Sequence, residues 1–263
     1  MVECRMIFII LFRFSGEISD FIFPDGTFLI NWPLKSNMMK RDYTEKMHQL
    51  QMQGYHFSIS DTINEAWAIM KKNIGQFIVL GLISLVVAFG VSLIPVVGSI
   101  VSLAVTPALI AGFIIVAWDA DRGHQVSINR FFEGFSRLSE FLPVYLLGLL
   151  FIFIGFALLI IPGIYLVVCY MLIVPFALFS QPNQQLVQML ENNRKVISKN
   201  WFTFFGFVIV IGLLNLAGLI LCGIGLLVTL PLTYICFYVL FKRIFGLPDD
   251  QDVDVEFNEL GSF

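Results

Sequence analysis

Three stretches without a charged residue govern what this chain can fold into: Asn73 to Trp118, Phe141 to Leu190 and Asn200 to Phe241, of 46, 50 and 42 residues. A straight helix of about 46 residues would be ~69 Å long, more than twice the ~30 Å hydrocarbon core of a bilayer. Each stretch therefore has to double back. Turn signals stand near the middle of each, at Pro95-Val96-Val97-Gly98, Pro162-Gly163 and Gly223-Ile224-Gly225, where two apolar spans would need them. The expected fold is all-α and polytopic, with six transmembrane helices near 75–94, 99–118, 143–161, 164–180, 202–222 and 225–243, paired as three hairpins. No soluble fold needs such runs three times over. Composition agrees: 58% of residues are hydrophobic and 13% charged, about half the charge of a soluble domain, which excludes disorder and disfavours an ordinary soluble enzyme. The 16 Lys and Arg against 19 Asp and Glu form no long basic patch, so nucleic acid is not an expected partner.

Orientation follows from where the cations stand. Eight Lys and Arg precede the first span, three lie in the second connection (Arg122, Arg130, Arg137), three in the fourth (Arg194, Lys195, Lys199) and two follow the last span (Lys242, Arg243). The three short turns carry none. Both termini and both longer loops are therefore expected on the cytoplasmic side, with Trp67, Trp118 and Trp201 near that boundary, where amphipathic rings are favoured.

The hairpins read as copies of one design, a parallel internal repeat. Each is preceded by an amphipathic stretch expected on the cytoplasmic face. Ile59, Ile63, Trp67 and Met70 share one helical face, capped by Ser58-x-x-Asp61. Ile128, Phe131, Phe132, Phe135, Leu138 and Leu142 form a second stripe, and Leu186, Met189, Leu190, Ile197 and Trp201 a third, with Glu191 and Lys195 spaced as an ion pair. Pro107, Pro175 and Pro231 fall inside the second helix of successive hairpins. Each removes a helical hydrogen bond and is expected to kink its span, either as a static bend or as a hinge. Small residues (Gly81, Ser84, Ala88 and Ser92, then Gly98, Ser102 and Thr106) line the first two spans and let helix backbones approach closely.

The amphipathic start with Trp67 and Lys72, Arg122-Gly123 leading to Ser127 and Phe131, Ile161-Pro162-Gly163-Ile164, and the run from Gly223 through Gly225, Leu226 and Thr229 to Pro231 together resemble the YciC-like bacterial inner-membrane proteins. They are also similar to the membrane domain attached to some glycerophosphodiester phosphodiesterases. The resemblance spans Phe57 to Phe245, with Asn193 standing where the pattern has a serine. It implies a six-helix membrane domain of the bacterial cytoplasmic membrane, with no catalytic residue and no cofactor. Asp121-Arg122-Gly123-His124 is not the His-Arg-Gly motif of the phosphodiesterase catalytic domain, so that activity is not expected.

Reactive chemistry is sparse. The spans contain no Asp, Glu, Lys, Arg or His, the usual mark of proton relays and ion pathways. Asn215 is the strongest polar group at depth, with Thr229, Thr233 and Tyr234 in the same hairpin; it reads either as an interhelical hydrogen bond or as a site for an uncharged ligand. His48, His56 and His124 lack metal-ligand spacing, and Cys4, Cys169, Cys222 and Cys236 form no disulfide framework. Asp250, Asp252 and Asp254 begin like a calcium loop, but Val255 and Gly261 stand where glycine and glutamate are required. Neither a metal nor an enzymatic activity is expected. Residues 1–37 read as a poorly ordered extension or a mis-assigned start, 38–57 as a cytoplasmic tail, 58–246 as the membrane domain and 247–263 as an acidic cytoplasmic tail. The expected role is a non-enzymatic domain that organises lipid, a partner membrane protein or a second copy of itself. The alternative is a passive transporter or channel for an uncharged or amphipathic solute, with Pro107, Pro175, Pro231 and Asn215 as its candidate hinge and polar positions.

Overall fold

The computed structural model describes residues 40, 42–94, 96–180, 185–221 and 223–247; the expected extension 1–37 and nearly all of the acidic tail lie outside them. The described residues form helices α1 (Thr44–Gln53), α2 (Ile59–Lys72), α3 (Ile74–Ser92), α4 (Val97–Asp121), α5 (Ile128–Ser136), α6 (Leu138–Leu158), α7 (Ile160–Tyr170), α8 (Ile173–Phe179), α9 (Leu186–Ser198), α10 (Trp201–Ile220) and α11 (Leu226–Phe245). Six segments are long and apolar enough to cross a membrane: α3, α4, α6, α7 with α8, α10 and α11. The chain is a multi-pass membrane protein.

The three turns are made differently. Between α3 and α4, Val96 takes φ +63° and ψ −61°, a conformation that costs a β-branched residue on the order of 1–3 kcal/mol. Between α6 and α7 the chain reverses at one extended residue, Leu159, not at Pro162-Gly163 as the turn signal suggests. Pro162 instead occupies the first turn of α7, where a missing N–H costs nothing. Gly163 lies against Gly155, where a Cβ would come within 3.1 Å of the Gly163 Cα. Between α10 and α11, the expected Gly223 supplies φ +76°.

Pro107 and Pro231 lie within continuous helices, whereas the Pro175 span breaks into α7 and α8 at Met171–Leu172. Met171 is four residues before Pro175, so its carbonyl is the one the proline ring displaces.

Within each pair one helix is inner and one outer. The second helix of every hairpin has 56% of its apolar window buried, the first only 22%. The inner helices α4, α8 and α11 each touch the other two. Outer α3 lies between α4 and α11, outer α6 between α7/α8 and α4, and outer α10 between α11 and α7. Side chains such as Phe153 and Phe202 point outward from the outer helices, 71% and 83% exposed, which is costly in water and free in lipid. Close backbone approach holds these contacts. A Cβ on Gly81 of α3 would stand 2.7 Å from the Leu227 carbonyl of α11, the group that Pro231 leaves without a helical donor.

The shorter helices dock on this frame: α2 on α11 and α4, α5 on α4, and α9 on α7 and its neighbours. Their buried faces differ in part from the expected stripes. α2 buries Thr62, Ala66, Ile69 and Met70, leaving Ile59, Ile63 and Trp67 half-buried, because small Thr62 and Ala66 permit the closer approach. The second stripe is divided by a break at Arg137, so that Leu138 and Leu142 belong to α6. The segment 38–57, expected as a tail, contains α1, which packs on α9. Tyr43 just before it is fully buried and donates to the Gly246 carbonyl at 3.1 Å.

Candidate functional site

Asp119, Glu140, Glu191 and Lys242, four of the charged residues that bound the three apolar runs, lie in ion-pair clusters, and the clusters of Asp119 and Lys242 each join a short helix to a span. The first forms where α2, α4 and α11 meet. Lys242 donates to Asp121 at 2.6 Å and to Glu65 at 3.1 Å, Arg243 donates to Glu65 at 2.8 Å, and the Tyr238 hydroxyl donates to Asp121 at 2.9 Å. Charge-assisted bonds of this kind are shorter and stronger than neutral ones. They tie α2, early in the chain, to the last span.

In the second cluster Arg130 of α5 grips Asp119 at the end of α4 with two bonds, Nε to Oδ2 at 2.7 Å and Nη2 to Oδ1 at 3.1 Å. Its Nη1 donates to Glu133 at 2.6 Å. The Asp119 side chain is only 6% exposed, so the pair is largely desolvated. Burial works against the Arg130 charge, but the hydrogen bonds to Asp119 and then Glu133 outweigh it and hold its pKa above the ordinary value. His124 stands 3.9 Å from Asp119 and is largely exposed. Beneath the cluster the α4 and α5 backbones touch: a Cβ on Gly134 would lie 2.7 Å from the Gly112 nitrogen and closer still to the Ala108 carbonyl. Phe131 fills the adjoining space, edge-on to Phe113 at 4.9 Å.

Two further clusters serve the middle hairpin. Arg137 donates to Glu140 at 2.7 Å and to the Leu178 carbonyl at 3.3 Å, and Lys40 reaches Glu140 at 3.0 Å. On α9, Glu191 accepts from Arg194 at 2.8 Å and meets Lys195 at 3.5 Å, so the expected i,i+4 pair is joined by a tighter i,i+3 one. The Arg194 bond holds the Glu191 carboxyl below its usual pKa. α9 is further bonded to α7 by Asn193 Nδ2 to the Cys169 carbonyl at 3.2 Å and Arg194 Nη1 to the Tyr165 hydroxyl at 3.4 Å. Burial lifts the Tyr55 hydroxyl above its ordinary pKa as it donates to the Val196 carbonyl at 3.0 Å.

Among the positions singled out from sequence, Asn215 and Pro231 come together. Asn215 Nδ2 donates to Thr233 Oγ1 at 2.9 Å and to its own helix at Ile211 O at 3.1 Å, and Thr233 passes a bond to the Thr229 carbonyl at 2.7 Å. Thr229 and Thr233 flank Pro231 on α11. Asn215 Oδ1 and Thr229 Oγ1 are buried in this α10–α11 seam without a partner. Pro107 and Pro175 lie on α4 and α8, away from this hairpin in the chain, and share no hydrogen bond with it.

Where α8 and α11 meet, rings fill the space. Phe179 stacks on Phe241 at 5.2 Å, Phe241 on Phe245 at 4.9 Å, and Tyr43 lies edge-on to Phe241 at 5.6 Å. Among the described residues no three His, Cys, Asp or Glu side chains converge as a metal ion would require. Comparisons of the chain with known protein families, with curated proteins and with solved structures return no match.

Proposed function

We propose that this chain is a non-enzymatic domain of the bacterial cytoplasmic membrane, of the YciC-like kind, that organises lipid or a partner protein with both termini in the cytoplasm. The observation that carries the reading is the way α2 and α5 are pinned to the spans by ion pairs and α9 by hydrogen bonds from Asn193 and Arg194, while rings fill the space between the inner helices α8 and α11. A ring-filled, ion-paired frame suits a platform that presents fixed helices at a membrane face. The neighbour relation of inner, outer and docked helix recurs for each hairpin, which favours three repeated units. The exposed side chains Ile128 and Phe132 of α5 would give such a face its lipid contact. Affinity purification from native membranes in mild detergent, with mass spectrometry of proteins and lipids, tests the reading. A stoichiometric protein or one enriched lipid class is expected, and bulk lipid alone would sink it.

One observation favours passage of an uncharged solute instead: the unpartnered Asn215 Oδ1 and Thr229 Oγ1 beside Pro231. Solute flux into liposomes decides between the two. Flux that Pro231→Ala or Asn215→Leu abolishes would favour transport through that seam; a domain that organises lipid or protein shows none.

A further inference from the structure

A cleft of about 330 Å³ lies between α6, α7 and α9, with Phe151, Leu166 and Leu190 among its apolar walls and Tyr165, Glu191 and Arg194 at its polar rim. Its volume is within the range of ligand pockets, roughly 300–1,000 Å³. Neighbouring Leu150 and Val187 are 52% and 60% exposed, so apolar surface continues outward from it, as it would toward lipid.

The charge at this rim differs from that of the clusters at Arg130 and Lys242; as at Glu140, which meets both Arg137 and Lys40, one carboxylate faces two cations. Arg130 has two carboxylates to itself, Asp119 and Glu133, and Lys242 and Arg243 share two, Glu65 and Asp121. At the cleft, Glu191 alone answers both Arg194 and Lys195, which leaves a positive excess. Arg194 spends one donor of Nη1 on Tyr165 and one of Nη2 on Glu191. Each of these nitrogens carries a second N–H, and the side chain is 34% exposed. Tyr165 is itself held in place, with its ring 6.2 Å from Trp201 in a stacked arrangement and its carbonyl accepting from the indole N–H at 3.4 Å.

We propose that this cleft binds one anionic glycerophospholipid, its phosphate on the free guanidinium N–H groups of Arg194 and an acyl chain along Phe151 and Leu166. The assignment rests on the lipid-organising reading and narrows it to one headgroup charge and one site. A planar guanidinium matches a phosphate with two parallel bonds, and the apolar wall excludes a small soluble phosphate as the preferred occupant.

The test is native mass spectrometry of the full chain reconstituted with equimolar phosphatidylglycerol and phosphatidylcholine. The wild type is expected to retain the anionic lipid about tenfold over the zwitterionic one, as two charge-assisted bonds allow. Arg194→Gln should reduce that preference to about twofold or less. Glu191→Gln removes the competing carboxylate and should raise it, a direction that misfolding does not produce. Millimolar glycerol phosphate should leave the bound lipid in place. Equal retention of both lipids by the wild type, an unchanged preference in Arg194→Gln, or full displacement by glycerol phosphate would each overturn the assignment. If the anionic preference survives in both variants, the lipid-organising reading stands and this cleft is wrong. If the wild type shows no preference and only bulk lipid, with no protein, co-purifies from native membranes, both fall.

Discussion

Arg130 carries the sharpest consequence of a single side chain. Its guanidinium neutralises a carboxylate that is almost wholly out of water, and removing one partner of such a pair leaves the other charged and unsolvated. Arg130→Ala is expected to destabilise the protein by ~3 kcal/mol, read as a lower thermal midpoint in detergent, whereas the double variant with Asp119→Asn should recover a good part of the loss. Equal midpoints for Arg130→Ala and wild type would show that Asp119 is solvated after all. The role of this pair was hidden in the sequence. Asp119 there only marks the end of an apolar run, and nothing in an eleven-residue spacing announces a bond across a loop. Asn215 was more legible, because a lone amide among apolar neighbours must seek a partner; that Thr233 would supply it depends on how α10 and α11 are rotated.

For single elements, the crossing of α5 over α4 is set by two glycines that bring the backbones together. A methyl group at Gly134 would meet the backbone of Gly112 and the Ala108 carbonyl, neither of which can swing aside as a flexible side chain would. Gly134→Ala should therefore lift α5 and cost about 2 kcal/mol, measurable as faster hydrogen exchange over Ile128–Ser136, while the same change at Gly212, which has nothing within 4 Å, should be nearly silent. Nothing in the local sequence marks Gly134, because its partner, Gly112, is 22 residues away on another helix. The periodicity of α2 likewise marked a docking helix but not its docked face. Its largest apolar residues shape the stripe, while the close contact selects small ones, Thr62 and Ala66. The second hairpin shows the same limit: Pro162-Gly163 is a strong local turn signal, yet Leu159 turns the chain because the Gly155–Gly163 approach needs the reversal there.

Across the whole molecule the testable property is sidedness. In a background without native cysteines, Ile161→Cys in the first turn of α7, beside the second reversal, is expected to react with a membrane-impermeant maleimide added to intact cells, and Lys199→Cys only after the membrane is opened. The opposite pattern would invert the topology and move the ion-paired helices outside. This expectation comes from the placement of Lys and Arg alone. The helical class, the number of apolar crossings and their pairing into hairpins were legible along the chain, because lipid admits neither charges nor unpaired backbone, and those constraints act along one continuous segment. Which helix of each pair is inner, which face of α2 docks, where the Pro175 span breaks and which carboxylate each guanidinium finds were set by the packing of the folded chain. Lipid and protein interior are equally apolar, so hydropathy does not separate a buried helix from a lipid-facing one. That choice falls to the steric fit of glycines, rings and freed carbonyls between segments far apart in the chain.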